Sequence, residues 1–398
     1  MPHTHRLFRS IDDVDLATWE HVRVKCGSSI FLDPRFIAAV EFSLKRTCQF
    51  WYVLIHDESG EPVACACLTG MTIDLADFAD PRLASVLRWM PRPLSKFRKL
   101  RILMCGLPGS PGEKNLAFTT RNAERQILSL LDRAVCELAE KEGANGIIYK
   151  EFGEDDLEWT NSLSELGYRR FAIPSMHFFE PAFDNFSQYC AALKTRYRQQ
   201  ITRSTRKLEG TGVRLSVLTD PQAILDAYTP EVHALYDATV ARAEVKLEVV
   251  PIEYFHELTR RLEGLVDLII CSEESRIIAF GWCLHSGPDY HMLYAGFESR
   301  LNDKLDLYFN LMYAGLDRAL RKRASRIHVG QGADAFKARI GCYSEPLYVF
   351  ARGLGPLMSR VVDYGADWLV AQKPTIGPAN IFKSDVVESL KRTEHTSA

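Results

Sequence analysis

The sequence predicts an α/β (α+β) protein of two tandem, related halves, each a mixed central sheet flanked by helices. Three observations predict it. The chain has 398 residues, too many for one core of ordinary size. Its apolar residues alternate between strand-like runs and helix-spaced stripes. One ordered series of such elements also occurs twice, as a duplicated unit would produce. Hydrophobic residues make up 46% of the chain and charged residues 25%, which excludes a disordered or fibrous protein.

In the first half, Trp51 to Ile55 and Val63 to Leu68 are β-rich runs joined by Asp57-Glu58-Ser59-Gly60, a hairpin with turn residues at its centre. A strand from Arg101 to Cys105 follows, then a Gly/Pro loop and a helix from about Asn122 to Glu142. The helix carries Ile127, Leu128, Leu131, Ala134, Val135, Leu138 and Ala139 on one stripe, with Gly143 as its stop. The strand Gly146 to Tyr149 comes next.

The second half repeats the order: Val266 to Cys271 and Ile277 to Leu284 as a hairpin, His291 to Ala295 as a strand, Leu307 to Leu320 as a helix, and Ser325 to Val329 as a strand. Each half closes with a short helix, ending in Leu166-Gly167-Tyr168 or Ile340-Gly341-Cys342-Tyr343, and a strand containing Pro174 to Phe179 or Pro346 to Phe350. Between the halves, Phe186 to Leu208 reads as one helix with Tyr189, Leu193, Tyr197, Ile201 and Leu208 on a stripe. The expected domains are 1–182, with a basic Pro-containing insert at 74–99; 183–355, the half expected to hold the chemistry; and 356–398, a helix near Leu357 to Val370 and a polar tail.

Charge and composition exclude several functions. With 49 basic against 51 acidic residues, no global field recruits DNA or an anionic membrane. Met1 to Ile11 lacks the apolar stretch of a signal peptide, and no uncharged apolar run reaches membrane-spanning length, so a cytoplasmic protein is expected. The ten cysteines lack the paired spacing of a zinc site or redox dithiol; Cys65 and Cys67, on one face of a strand, read as small core residues. No metal is implied. There is no G-x-S-x-G elbow and no cysteine with a base beside it in the pattern, so covalent catalysis has no support.

Two stretches carry a family resemblance. One is the basic run Leu193-Lys194-Thr195-Arg196-Tyr197-Arg198 through Arg203 and Lys207. The other is His328-Val329-Gly330-Gln331-Gly332-Ala333-Asp334-Ala335-Phe336-Lys337-Ala338-Arg339-Ile340-Gly341. With the order of elements, these resemble the FemAB-like, tandem branch of the GNAT N-acyltransferases over roughly residues 30 to 355. The resemblance implies transfer of an acyl or aminoacyl group from an activated thioester or ester to an amine on a small molecule or peptide. GNAT enzymes use acyl-coenzyme A as co-substrate, with no tightly bound cofactor; Fem-type ligases use aminoacyl-tRNA. The long coiled-coil arm of some Fem ligases is absent from this sequence, which favours a thioester donor and leaves tRNA as the alternative. A protein that keeps the fold without turnover is the reading from a different class.

N-acyl transfer needs a neutral amine, a positioned carbonyl and a donor or cation where the oxyanion develops. Lys337 is the first candidate, at the start of a short helix just past a strand end; the resemblance gives the lysine of the Phe-Lys pair a similar role. Its ammonium could stabilise an oxyanion or grip a donor phosphate, and a lone helical lysine is otherwise a solvated charge. Gly330, Gln331, Gly332 and Phe336 are the candidate donor-binding residues at that strand end, where open α/β sheets bind ligands. Arg196 and Arg203 join them from the basic helix, on one face with Lys207; the face suits the phosphates of coenzyme A or tRNA and reads equally as an ordinary solvated helix face. Tyr294 and Glu298, at the end of the strand His291 to Ala295, stand where the resemblance implies a base or a proton relay; Tyr294 reads equally as a core aromatic, and Glu298 would need a raised pKa to act as base at neutral pH. Asp334 reads as a helix cap. In the first half, Gly106-Leu107-Pro108-Gly109-Ser110-Pro111-Gly112 lies between a strand and a helix, where the resemblance implies a cradle for the coenzyme A pyrophosphate; two prolines remove two donors, and a plain Pro-Gly connector is the other reading.

Overall fold

The computed structural model describes residues 4–27, 29–74, 76, 85, 88–89, 98–119, 124–242, 249–369 and 380–384. Its strands, in chain order, are β1 (Thr4–Phe8), β2 (Cys48–His56), β3 (Pro62–Asp74), β4 (Lys99–Cys105), β5 (Leu116–Phe118), β6 (Gly146–Phe152), β7 (Arg169–Phe179), β8 (Val213–Leu218), β9 (Val266–Glu273), β10 (Arg276–Ser286), β11 (Asp289–Phe297), β12 (Arg326–Gln331) and β13 (Tyr343–Gly353). Most of the expected insert 74–99 lies outside the described residues, Arg92 and Lys96 included, as do the expected helix start at Asn122 and most of the polar tail.

The chain groups into two compact units. The first comprises Met1–Pro174, Glu244–Arg261 and Pro346–Lys373; the second comprises Ser175–Ala243, Leu262–Glu345 and Pro374–Ala398. In the first unit, β1, β2, β3 and β4 are successive antiparallel neighbours, β4 pairs parallel with β6, and β13 pairs antiparallel with β6. In the second, β8, β9, β10 and β11 are antiparallel neighbours, β11 pairs parallel with β12, and β7 pairs antiparallel with β12. The strands of the two units share one pattern of directions, which bears out the repeated series. Relative to the expected bounds 1–182 and 183–355, the units exchange their last strands: residues 348–353 pair with β6, and residues 176–179 pair with β12. A strand's periodicity records which face it buries, while its hydrogen-bonding partner can lie anywhere in the chain.

The hairpins form where the turn residues place them. In the first, Asp57 Oδ1 accepts from the amides of Ser59 (2.8 Å) and Glu61 (3.0 Å), closing the β2–β3 turn. In the second, only Glu274 and Ser275 separate the strands, and Glu274 adopts φ 54°. The helix Glu124–Lys141 buries the expected stripe against the first sheet. It also buries Asp132, which accepts from Tyr149 OH at 3.2 Å and Tyr168 OH at 2.5 Å. Leu307–Arg321 is its counterpart in the second unit, where buried Asn310 donates to Ser204 O at 3.0 Å and ties this helix to the basic helix.

The stretch expected as one helix, Phe186 to Leu208, is two: Phe186–Ala192 and Thr195–Arg206. Leu193 and Lys194 are extended between them. Their backbone pairs with the chain near residue 382: Lys194 N donates to Ile381 O at 2.8 Å and Lys383 N to Ala192 O at 3.0 Å. The apolar stripe continues across the break because Leu193 is still buried, so sequence spacing alone could not reveal it. Six cysteines, Cys65, Cys67, Cys105, Cys271, Cys283 and Cys342, are buried free thiols, as expected of small core residues.

Candidate functional site

In the second unit, β11 and β12 pair in parallel over three residues only, ending at His291 with His328. Past that point β12 bulges between His328 and Gly330 in its pairing with β7 and enters the turn 330–333. Gly330 and Gly332 take φ of 77° and 72° and Ala333 takes 54°, left-handed values that let the chain reverse sharply into the helix Asp334–Arg339. The expected cap, Asp334, is the first helical residue, and Ala333 occupies the cap position.

This turn draws Lys337 inward. The residue is 2% exposed, and its Nζ donates to Gly330 O at 2.8 Å and Gln331 O at 2.9 Å. Among the described residues no carboxylate lies within ion-pairing distance of it. A Cβ on Gly330 would sit 3.7 Å from Met292 O and 3.9 Å from Lys337 Nζ, so the amine lies beside the carboxyl end of the parallel pair. Burial pushes the Lys337 ammonium down to about 7, with Cys342 and Asp334 acting weakly in the other direction. A solvated surface lysine would show none of this.

Of the sequence candidates, Lys337, Gly330 and Gln331 come together directly, and Gly332 completes their turn. Gln331 is half-buried, and its Nε2 has no hydrogen-bond partner among the described residues. Phe336, a donor-binding candidate, instead faces the core: it stacks on Phe309 at 4.4 Å between centroids and touches Tyr308 and Tyr313. On a one-turn helix, neighbouring residues point apart, so Lys337 and Phe336 cannot both face the strand end. Tyr294 packs edge-on against Tyr236 at 5.7 Å. Glu298 precedes the helix Ser299–Leu305 and pairs with Arg276, so its carboxylate is a partly exposed ion-pair partner rather than a buried base. Arg196 and Arg203 are exposed on Thr195–Arg206, Arg196 lying over the Tyr197 ring at 4.5 Å, while Lys207 is paired to Asp306 at 2.7 Å.

Two residues of interest escaped the sequence reading. His177 on β7 places Nδ1 3.2 Å from Gly330 O and Nε2 3.4 Å from Asp334 Oδ1; it comes from a strand more than 150 positions away and has no local signature. Lys150, in the first unit, follows the last parallel pair, Cys105 with Tyr149. Its Nζ donates to Leu107 O at 2.9 Å and Ser110 O at 3.3 Å and lies 3.2 Å from Glu151 Oε2. The legible signal was a Lys-Glu pair inside an apolar strand. The Gly106 to Gly112 turn is closed by its own chain: Asn115 Oδ1 takes the Leu107 amide, Glu151 takes the Gly112 amide, and Tyr254 OH donates to Gly109 O at 2.6 Å. Two of the turn's amides, those of Leu107 and Gly112, are thereby taken up within the protein.

Among the described residues, no helix is long and apolar enough to cross a membrane, and no group of three or more metal-ligating side chains occurs. The family profile described as FemAB-like, peptidoglycan biosynthesis/recognition, matches residues 10–364. No curated protein matches the sequence. Among solved structures the chain is similar to FemX, at 13% identity and TM-score 0.53, covering 92% of this chain and 99% of that one. It is similar to a tandem GNAT protein from the clavulanic acid biosynthesis pathway, at 10% identity and TM-score 0.53, covering 89% and 99%. L-PGS from Bacillus licheniformis, at 10% identity and TM-score 0.50, covers 90% and 98%. These likenesses establish the tandem GNAT fold.

Proposed function

The chain belongs to the FemAB-like family, and from that premise we propose that its second unit transfers an acyl group from an activated thioester or ester directly to an amine, with Lys337 stabilising the oxyanion. The observation that carries this reading is the setting of Lys337. Two of the three N–H bonds of its ammonium go to the Gly330 and Gln331 carbonyls, and the third has no partner among the described residues. A fixed donor in a buried, weakly polarisable setting acts strongly on charge that appears only in the transition state. The amine lone pair attacks the carbonyl carbon, the carbonyl oxygen gains charge beside Lys337, and collapse of the adduct expels the carrier. No protein nucleophile is required.

The donor's carrier bears phosphates on this reading, because Arg196 and Arg203 stand exposed on one helix face. Coenzyme A is the carrier we favour, since the likeness extends to a tandem GNAT protein described in its AcCoA-free form. A second reading, aminoacyl transfer from charged tRNA to a peptide amine, is favoured by the family's description in peptidoglycan biosynthesis and by the likeness to FemX. Thermal shift and calorimetry with coenzyme A, acetyl-coenzyme A and tRNA separate them, because a ligand of the native state raises its apparent stability. Stabilisation by coenzyme A, with thiol release when an amine is added, is the expected result. Salt-sensitive tRNA binding without a coenzyme A effect would replace it with the second reading. Silence toward both would leave a binding protein without turnover.

A further inference from the structure

His177 is a buried imidazole, 2% exposed, wedged between two oxygen acceptors: the Gly330 carbonyl at Nδ1 and the Asp334 carboxylate at Nε2. A neutral imidazole carries one N–H. Whichever tautomer forms, the other nitrogen turns its lone pair toward an oxygen that has no proton to offer. Only the doubly protonated ring satisfies both contacts. Yet burial, and after it the neighbouring Lys337, hold His177 below its ordinary value, so at neutral pH the ring is one proton short of its partners. The charged groups that face it are Lys337 and Asp334, both from the Asp334–Arg339 helix; β12 contributes the Gly330 carbonyl. Cys342 acts on Lys337, and burial pushes its thiol up to about 12, so it stays neutral. Asp334 is the accessible member, with about a third of its side chain exposed, against 3% for that of His177.

We propose that Asp334 and His177 form the dyad that takes the proton from the acceptor amine, Asp334 meeting the amine and His177 acting behind it as the positioning residue that holds the proton. This rests on the acyl-transfer reading of the same site. As the amine's lone pair forms the C–N bond, the carbonyl π pair moves to the oxygen beside Lys337. The proton that nitrogen must lose passes through the Asp334 carboxylate to His177 Nε2. When the adduct collapses, the carbon–sulfur or carbon–oxygen bond breaks with its electron pair on the carrier, and the carrier takes that proton from the dyad. The imidazole ends neutral, and nothing else is consumed. The sharing of Gly330 O by Lys337 and His177 couples the two halves of the step: the oxyanion donor and the proton acceptor are aligned by one carbonyl.

Imidazole NMR of the full chain, with His177→Gln to assign the signal, tests the dyad without any substrate. The expected result is an Nδ1–H tautomer near neutral pH that gains its second proton only below the ordinary histidine value. Lys337→Met should move that ionisation up and Asp334→Asn should move it down, each by up to about one unit, because one removes a neighbouring cation and the other an anion. An Nε2–H tautomer indifferent to both substitutions would overturn the proposal. With whichever donor turns over, acetyl-coenzyme A or charged tRNA, His177→Gln and Asp334→Asn should each lower kcat/KM about a hundredfold. They should flatten the acid limb of its pH profile, leave donor affinity intact and fail to add in the double variant. A wild-type pH profile in a folded His177→Gln protein would also overturn it. If the unsubstituted protein turns over no donor, the acyl-transfer reading fails alone, and the imidazole titration still decides the dyad.

Discussion

Each unit buries a lysine at the carboxyl end of its parallel strand pair, yet the two lysines are held in opposite ways. Lys150 has Glu151 at 3.2 Å and the carbonyls of Leu107 and Ser110, and Glu151 in turn binds the Gly112 amide. Glu151 holds this position with φ 59°, an uncommon conformation for a residue with a side chain. Charge and donors on that side are consumed within the protein. Lys337 has two carbonyls and no carboxylate partner among the described residues. A buried cation with its counter-ion is a strut, whereas one with spare valence can act on a ligand. The repeated fold has thus paired the lysine at one strand end with a carboxylate and left the lysine at the other without one among the described residues.

The comparison is broken most directly by removing each lysine in turn. Lys150→Met strands Glu151 as a buried charge, and unfolding should show a loss of roughly 3 kcal/mol, the scale for breaking a buried ion pair from one side. Lys337→Met should keep or raise stability while turnover falls about a hundredfold, the size of one lost oxyanion donor. A stable but inactive Lys150→Met protein, or an active Lys337→Met protein, would reverse the assignments of the two units.

A smaller effect lies in the pH dependence of stability. Lys337 binds its proton less tightly folded, at about 7, than the 10.5 of a free lysine. Between those values the unfolded chain carries more protons than the native one, so this residue makes stability rise with pH across the window. Below about 7 both states are protonated and its contribution is flat. The slope is at most about 1.4 kcal/mol per pH unit. Urea unfolding at pH 7.5 and 9 should show the rise in the wild type and its absence in Lys337→Met; equal slopes would mean that the ammonium is not destabilised by burial.

The smallest effect concerns the donor. Replacing Arg196 and Arg203 together by glutamine should weaken coenzyme A or tRNA binding about tenfold and reduce its salt dependence, as expected for two exposed phosphate contacts. Calorimetry at two salt concentrations measures both. Unchanged affinity in the folded double variant would assign these arginines to an ordinary solvated face and remove the main reason for placing the donor on this unit.

The sequence by itself determined the repeated order of hairpin, strand, helix and strand, because helical and strand periodicities are local and survive in any context. It also pointed to Lys337 and its Gly330-Gln331-Gly332 turn, since glycines before a short helix mark a sharp reversal at a strand end. Tertiary structure alone decided which strand closes each sheet, because ladder hydrogen bonds join backbones whatever their side chains. It decided that Phe336 is core and that Glu298 is engaged by Arg276, for the direction of a side chain depends on what packs around it. Above all it brought His177 to Gly330 and Asp334, and Glu151 to the turn after β4. Those contacts join residues 39 to 157 positions apart, and burial, the quantity that turns a lysine or histidine from a surface charge into a reactive group, exists only once such contacts have formed.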